Sequence, residues 1–338
     1  MAGAGKDPGG RDLMLGSLTL DGLDREALAR LFSGTGHAPA PLTGAEAARL
    51  GRSLDSAPRP VRLDYPDWLA PHLATIPDAA LEMMRARAPL YLRVNLLRAD
   101  REAAIAALAA DGIVAEPGPL SPTCLAVRAG AQAVSRSGAY RDGLVEIQDA
   151  ASQAAADYAG AAPGETVLDY CAGGGGKTLA LAGAIAGRGR LHAHDTAPRR
   201  LAQLVERAAR AGAAVTLHEP DRVGALAGRC DLVLVDAPCS GSGAWRRNPD
   251  AKWRLTADAL AAYAQTQDNI LVRAAPAVRP GGRLVYLTCS VLGVENAERA
   301  ARFLATHANF GTRRAPLVLT PLDGGDGFFA CEFRREPE

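Results

Sequence analysis

The chain is poor in aromatics, in lysine and in long apolar runs. Phe, Trp and Tyr make up 5% of its 338 residues, so a core drawn from the 48% hydrophobic share must be packed mainly with Ala, Leu and Val. No run approaches the length of a membrane span. Residues 1–17 lack the apolar stretch behind a basic start that a secretory signal needs. The cysteines at 124, 171, 230, 239, 289 and 331 form no C-x-x-C and no zinc spacing, so no metal is expected. Free thiols point to a reducing, cytoplasmic setting. A net charge of +1 excludes nucleic-acid binding by bulk charge and leaves that task to a local basic patch. Lysine occurs only at 6, 177 and 252. The arginine bias reads as composition, yet Lys177 and Lys252 both fall inside motifs.

The pattern divides into three stretches: a helical, partly disordered segment over 1–60, a small α+β module over 61–145, and an α/β domain over 146–338. Residues 1–12 are Gly-rich and polar and are expected to be disordered. Short helices follow over 18–54, with starts at Asp24 and Thr43, and Pro58 and Pro60 mark a linker. Further helix is expected over 65–69 and 77–87. Residues 90–95 alternate as a strand, 101–111 read as a helix ended by Gly112, and 124–127 as another strand. That β-α-β run fits either an RNA-binding-like module or a cap on the larger domain. Beyond residue 148, near-continuous apolar strands at 166–169, 190–195, 215–218, 230–236 and 282–288 alternate with helices at 178–186, 198–211 and 257–275. The pattern predicts a parallel, doubly wound Rossmann-like sheet with helices on both faces and its ligand site beyond the carboxyl ends of the strands.

The first of these strands runs into Cys171-Ala172-Gly173-Gly174-Gly175-Gly176-Lys177, which leads into a helix. Glycines let backbone approach a ligand, and a helix N-terminus offers amides to an anionic group. The end of the turn imitates a phosphate-binding loop, but the leading glycine of that pattern is absent. Asp195 ends the next strand, where an acid can bond ribose hydroxyls, and Asp221 after the third could meet an adenine amino group. A lone acid at a strand end is usually a helix cap. Three such features at successive strand ends favour an adenosine-containing cofactor, with NAD and S-adenosylmethionine both open.

Two thiol motifs complete the candidate site: Asp236-Ala237-Pro238-Cys239-Ser240 and Thr288-Cys289-Ser290. Both follow strands, where this fold places its chemistry, although a free Cys is more often buried filler. The first runs on to Arg246, Arg247, Lys252, Trp253 and Arg254, a set suited to phosphate contacts and base stacking.

On these motifs, together with Tyr91-Leu92-Arg93-Val94-Asn95, residues 146–153 and Glu295-Asn296, the chain resembles the Sun/Fmu (NOL/NOP/Sun, RsmB-like) family of RNA cytosine-5 methyltransferases over about residues 60–335. The resemblance implies S-adenosyl-L-methionine as cofactor and RNA as partner, ribosomal before transfer RNA, with the protein acting as a monomer. It makes Cys289 the nucleophile that adds to carbon 6 of cytosine and Cys239 the group that assists breakdown of the adduct. Asp236 bonds the cytosine and the cofactor side of the pocket, Lys177 lines that pocket, and Asp195 and Asp221 match the ribose and adenine acids. Arg93, Asn95, Arg246, Arg247, Lys252 and Arg254 become RNA contacts. The target base must be single-stranded or flipped out.

The chain departs from that family where Ala-Pro-Gly-Gly-Lys is replaced by Gly173-Gly174-Gly175-Gly176-Lys177. Loss of the proline implies a looser loop and weaker cofactor affinity. Val294 stands where an acid is usual. The first 60 residues are too short for the helical RNA-binding domain of bacterial relatives, and little room remains for another near Glu338, so the RNA target is left open. Two other classes compete: a non-catalytic RNA-binding or ribosome-assembly factor, which has no need of two rim thiols, and a dinucleotide-dependent oxidoreductase, for which position 178 should be Gly but is Thr178. Cys124, Cys230 and Cys331 read as core; His192 and His194 read as core or pocket wall.

Overall fold

The computed structural model describes residues 9–50, 57–219 and 222–337 and divides into two units, 1–70 and 71–338. In the first unit, α1 (Gly10–Leu20), α2 (Arg25–Leu31), α3 (Gly44–Arg49) and α4 (Arg59–Arg62) are short. Asp24 caps α2 at the Ala27 amide, and Thr43 with Glu46 forms a capping box on α3, as the sequence pattern predicts. Leu15, Leu28 and Phe32 form the local core. Two expectations are corrected. Helix α1 starts at Gly10, inside the stretch read as disordered, and Arg11 ties it to Glu46 at 2.6 Å; residues 1–8 lie outside the described residues. Pro60, read as linker, sits in the first turn of α4, where an amide hydrogen has no helical partner to lose.

The second unit begins with α5 (Asp78–Met83), β1 (Tyr91–Val94), α6 (Arg101–Ala110), β2 (Val114–Pro117), β3 (Cys124–Ala129), α7 (Gly138–Arg141) and β4 (Val145–Ile147). The four strands pair antiparallel in the order β2-β3-β1-β4. Leu92, Val94 and Leu125 pack there against Ala104 and Leu108 of α6. Strands β2 and β4 went unread in the sequence. The first is largely exposed and the second has three residues, so neither shows an apolar alternation.

The larger sheet follows: α8 (Ala150–Tyr158), β5 (Thr166–Asp169), α9 (Gly176–Ala184), β6 (Arg190–His194), α10 (Pro198–Ala211), β7 (Thr216–His218), β8 (Cys230–Asp236), α11 (Ala251–Arg254), α12 (Ala257–Ala274), β9 (Val278–Thr288), α13 (Ala297–Thr306), β10 (Phe310–Gly311), β11 (Leu317–Leu319) and β12 (Phe328–Arg335). Its order is β10-β12-β9-β8-β5-β6-β7, with β11 pairing β12. From β9 to β7 all pairings are parallel. Beyond β9 they are antiparallel, which corrects the wholly parallel reading to a mixed sheet. Successive residues of β8 and β9 serve opposite faces. Val233, Val235, Leu284 and Tyr286 pack against Leu271 of α12 and Phe303 of α13. Leu232, Leu234, Val285 and Leu287 pack against Ala155 of α8 and Leu181 of α9. Burial on both faces explains why these strands read as continuous apolar runs.

Candidate active site

Strands β8 and β9 lie side by side with Asp236 opposite Leu287, and the Ala237 amide extends the ladder to the Leu287 carbonyl. The two thiol loops therefore leave adjacent strand ends. Cys239 Sγ and Cys289 Sγ come within 3.4 Å, and neither forms a disulfide. Gly243 binds the loops together by donating its amide to the Cys289 carbonyl and accepting from the Gly327 amide. A Cβ at 243 would overlap the Gly327 carbonyl, so only glycine fits.

The two sulfurs differ in character. The Cys289 thiol is held below its ordinary range, first by a hydrogen bond from Cys239 and further by the charge of Lys177, against the opposing effect of burial. Cys239 is pushed well above that range by donating to Cys289 and by burial. Cys289 is thus the more readily ionised thiol of the pair, with Cys239 beside it.

Lys177, from the first turn of α9, places Nζ 2.7 Å from Asp236 Oδ2 and 4.7 Å from the centre of the Phe328 ring. Asp169, at the end of β5, accepts from Thr178 Oγ1 at 2.7 Å, while its Oδ1 is buried without a partner. Burial raises the Asp169 pKa to about 7; Thr178 and Lys177 oppose the rise, and Asp236 and Asp195 add to it. Asp195 accepts from the Gly173 amide and the Ala197 amide, both at 2.8 Å, leaving each oxygen a further lone pair. Asp221 lies outside the described residues.

The glycine turn is braced from outside. Gly175 has φ +87 and lies against Leu204, both of which require glycine. Arg93 donates to the Gly176 carbonyl at 2.6 Å and to Gln148; Arg207 donates to the Gly174 carbonyl at 2.5 Å. Arg207 and Arg210 both pair with buried Glu146. These braces hold the Gly174 and Gly176 carbonyls in the turn that lacks the family's proline. Cys171 is half-buried, with its thiol pushed well above the ordinary range by desolvation, and Ala172 is buried.

Several residues read as RNA contacts face inward instead. Arg93 is consumed by the turn, and Asn95 donates to the Gly143 and Ala211 carbonyls. Arg246 is buried, with Nε 2.6 Å from Asp326, and Lys252 is buried as well. Burial puts all four out of reach of a phosphate. Arg247 and Arg254 are exposed, although Arg247 pairs with Asp149 and Asp326 and Arg254 with Asp250. Trp253 is exposed beside them.

Sequence reading missed four contributors. Glu295 joins the two loops through Ser240 and Ser290, and Gln267 supports it from α12. Asp326, in the turn before β12, and Phe328, at its start, reach the site from the C-terminal side. The Gly-Gly-Asp-Gly run before Phe328 was the available signal. Among the described residues no His, Cys, Asp and Glu group fits a metal ion, and no helix is long and apolar enough to cross a membrane.

A family profile described as 16S rRNA methyltransferase RsmB/F matches residues 160–331, and a ferredoxin-like domain of RsmF/B-like methyltransferases matches residues 65–134. Among curated proteins, ribosomal RNA small subunit methyltransferase B of Citrobacter koseri is 34% identical over 79% of this chain and 66% of its own length. The probable ribosomal RNA small subunit methyltransferase B of Bacillus subtilis is 32% identical over 84% of this chain and 70% of its own length. The chain thus spans about two thirds of the length of these relatives. Among solved structures, PH0851 superposes with a TM-score of 0.76 at 29% identity, over 82% of this chain and 67% of that one. A methyltransferase homolog from Pyrococcus horikoshii gives 0.72 at 24% identity, over 82% and 97%, a likeness of fold.

Proposed function

Because the chain belongs to the family described as 16S rRNA methyltransferase RsmB/F, we propose that it transfers a methyl group from S-adenosylmethionine to carbon 5 of a cytosine in RNA. The observation that carries this reading is the 3.4 Å approach of Cys239 and Cys289 beside the Lys177–Asp236 pair. A binding module needs no thiolate held by a thiol. Ribosomal RNA of the small subunit is the first substrate candidate, since the curated relatives are named for it.

The pocket suits a cofactor with net positive charge. Asp169 feels two negative neighbours, Asp236 and Asp195, and one positive neighbour, Lys177. That balance disfavours a dinucleotide pyrophosphate and favours a sulfonium and ammonium compound. Asp195 and the amides of Gly174 and Gly176 would hold it, with Asp221 as a further candidate. When bound, S-adenosylmethionine supplies the electrophilic methyl group.

The chain's own residues do the rest. The Cys289 thiolate adds to carbon 6 of cytosine and makes carbon 5 electron-rich. Asp236, oriented by Lys177, accepts from the amino group of the base, and the Lys177 ammonium offsets the negative charge that develops on attack. Cys239 then assists breakdown of the adduct. Arg247, Trp253 and Arg254 offer the exposed contacts for RNA.

The test is a trapping assay with S-adenosylmethionine and RNA carrying 5-fluorocytidine. A denaturation-resistant adduct that vanishes with Cys289→Ala and persists with Cys239→Ala supports the reading. Absence of any adduct despite measurable cofactor binding would sink it.

A further inference from the structure

We infer that Glu295 is the positioning residue that sets the separation of Cys239 and Cys289, a role that rests on the reaction proposed above. Glu295 closes the short turn Gly293–Glu295 after β9 and is 0% exposed. Its side chain accepts from the Ser240 amide at 2.8 Å, the Ser240 hydroxyl, the Ser290 hydroxyl at 2.5 Å and Gln267 Nε2 at 3.1 Å. A carboxylate has about four acceptor sites, and these four donors fill them.

The identity of the donors carries the argument. Ser240 directly follows Cys239, and Ser290 directly follows Cys289. One carboxylate therefore grips the residue after each thiol. Every side-chain partner of Glu295 is neutral. A buried charge met only by neutral donors is an expensive way to fill space, and an apolar side chain would do so with less desolvation. An apolar side chain would not, however, join the two serines.

The grip is itself anchored. Tyr286, inside β9, donates its hydroxyl to the Glu295 carbonyl at 2.6 Å. Asn296 donates to the Ser290 carbonyl at 2.9 Å and accepts from Thr288. Gln267 also donates to the Pro238 carbonyl at 3.0 Å, on the other side of Cys239. The sulfurs do not supply this order themselves, because a thiol is a weak donor and a weak acceptor.

The experiment compares wild type, Glu295→Gln and Glu295→Ala. Diamide oxidises two neighbouring thiols to a disulfide and is itself reduced to the hydrazine, so closure of Cys239 onto Cys289 appears as a loss of two hydrogens by mass spectrometry. Closure should slow by on the order of tenfold to a hundredfold in the variants, the usual cost of about 1 Å of misplacement. Loss of the Glu295 charge alone would lower the pH midpoint for alkylation of Cys289, so a rise toward that of Cys239→Ala reports the lost thiol contact. If Glu295→Ala fails to fold, Glu295→Gln decides. Wild-type closure and a midpoint that does not rise in a folded variant overturn the inference. Slowed closure in variants of a wild type that methylates no RNA leaves the positioning role standing and rejects the reaction instead.

Discussion

Lys177 Nζ stands 2.7 Å from Asp236 Oδ2, joining the glycine turn to the first thiol loop across 59 positions of sequence. The same ammonium lies over the Phe328 ring and lowers the pKa of Cys289. One side chain therefore touches the glycine turn, the first thiol loop and the environment of Cys289.

Lys177→Met should raise the pH at which Cys289 reacts. Cys289 is lowered first by Cys239 and then by Lys177, so removing the cation moves the iodoacetamide midpoint alkaline. Cys239→Ala should move it further, because it removes the larger influence. Peptide mapping of Cys289 alkylation against pH checks both, and an unmoved midpoint in either variant contradicts the assignment of Cys289 as the thiolate.

Asp169 ties stability to pH. Its folded pKa, about 7, lies above the ordinary 3.8, so the fold favours the protonated form. That preference is fully present below about pH 4 and is lost as pH rises through about 7. Between those values the group lowers stability by up to about 1.4 kcal/mol per pH unit. Asp169→Asn keeps an acceptor for Thr178 and should flatten this part of a urea-denaturation profile. A profile as steep as wild type would show that Asp169 titrates normally.

Glu146→Ala should act at a distance on the cofactor turn. It strips Arg207 and Arg210 of their buried partner, and Arg207 holds the Gly174 carbonyl. Both arginines keep some contact with water, which puts the expected loss near 2 kcal/mol, or roughly 5 °C in melting temperature. Calorimetry should show several-fold weaker S-adenosylmethionine binding. Full affinity in a destabilised variant would separate the brace from the turn.

Gly243→Ala should destabilise the domain by about 2–3 kcal/mol, through overlap with the Gly327 carbonyl. It should also slow adduct formation, since the Gly243 amide holds the Cys289 carbonyl. Wild-type trapping rates in this variant would show that the two loops keep their spacing without that contact.

The sequence makes legible whatever depends on one segment alone. Strands β5 and β8 read directly because both faces are buried, and α10 reads because Pro198 opens it and Gly212 ends it in a left-handed cap. The thiol loops were visible because strand ends carry the chemistry of this fold. What stayed hidden depends on distant partners. Arg246 looks outward-facing until Asp149 and Asp326 are brought beside it, 80 positions separating Arg246 from Asp326. Glu295 carried no signal of its role, because its donors come from three separate segments. The antiparallel edge around β12 was hidden because its apolar run, 328–331, is short and is broken by Glu332, and because α13 precedes it as a helix precedes a parallel strand.

Asp326 and Phe328 complete a site whose other groups all precede them in the chain. During synthesis Lys177, Asp236, Cys239 and Cys289 leave the ribosome first, without the anchor for Arg246 and Arg247 and without the ring beside Lys177. The nascent chain thus carries the thiols and the Glu295 network that spaces them before it carries the groups that anchor Arg246 and Arg247 and face Lys177. Competence arrives late, with the last strand, so an interrupted translation product would inherit the thiols but not the pocket.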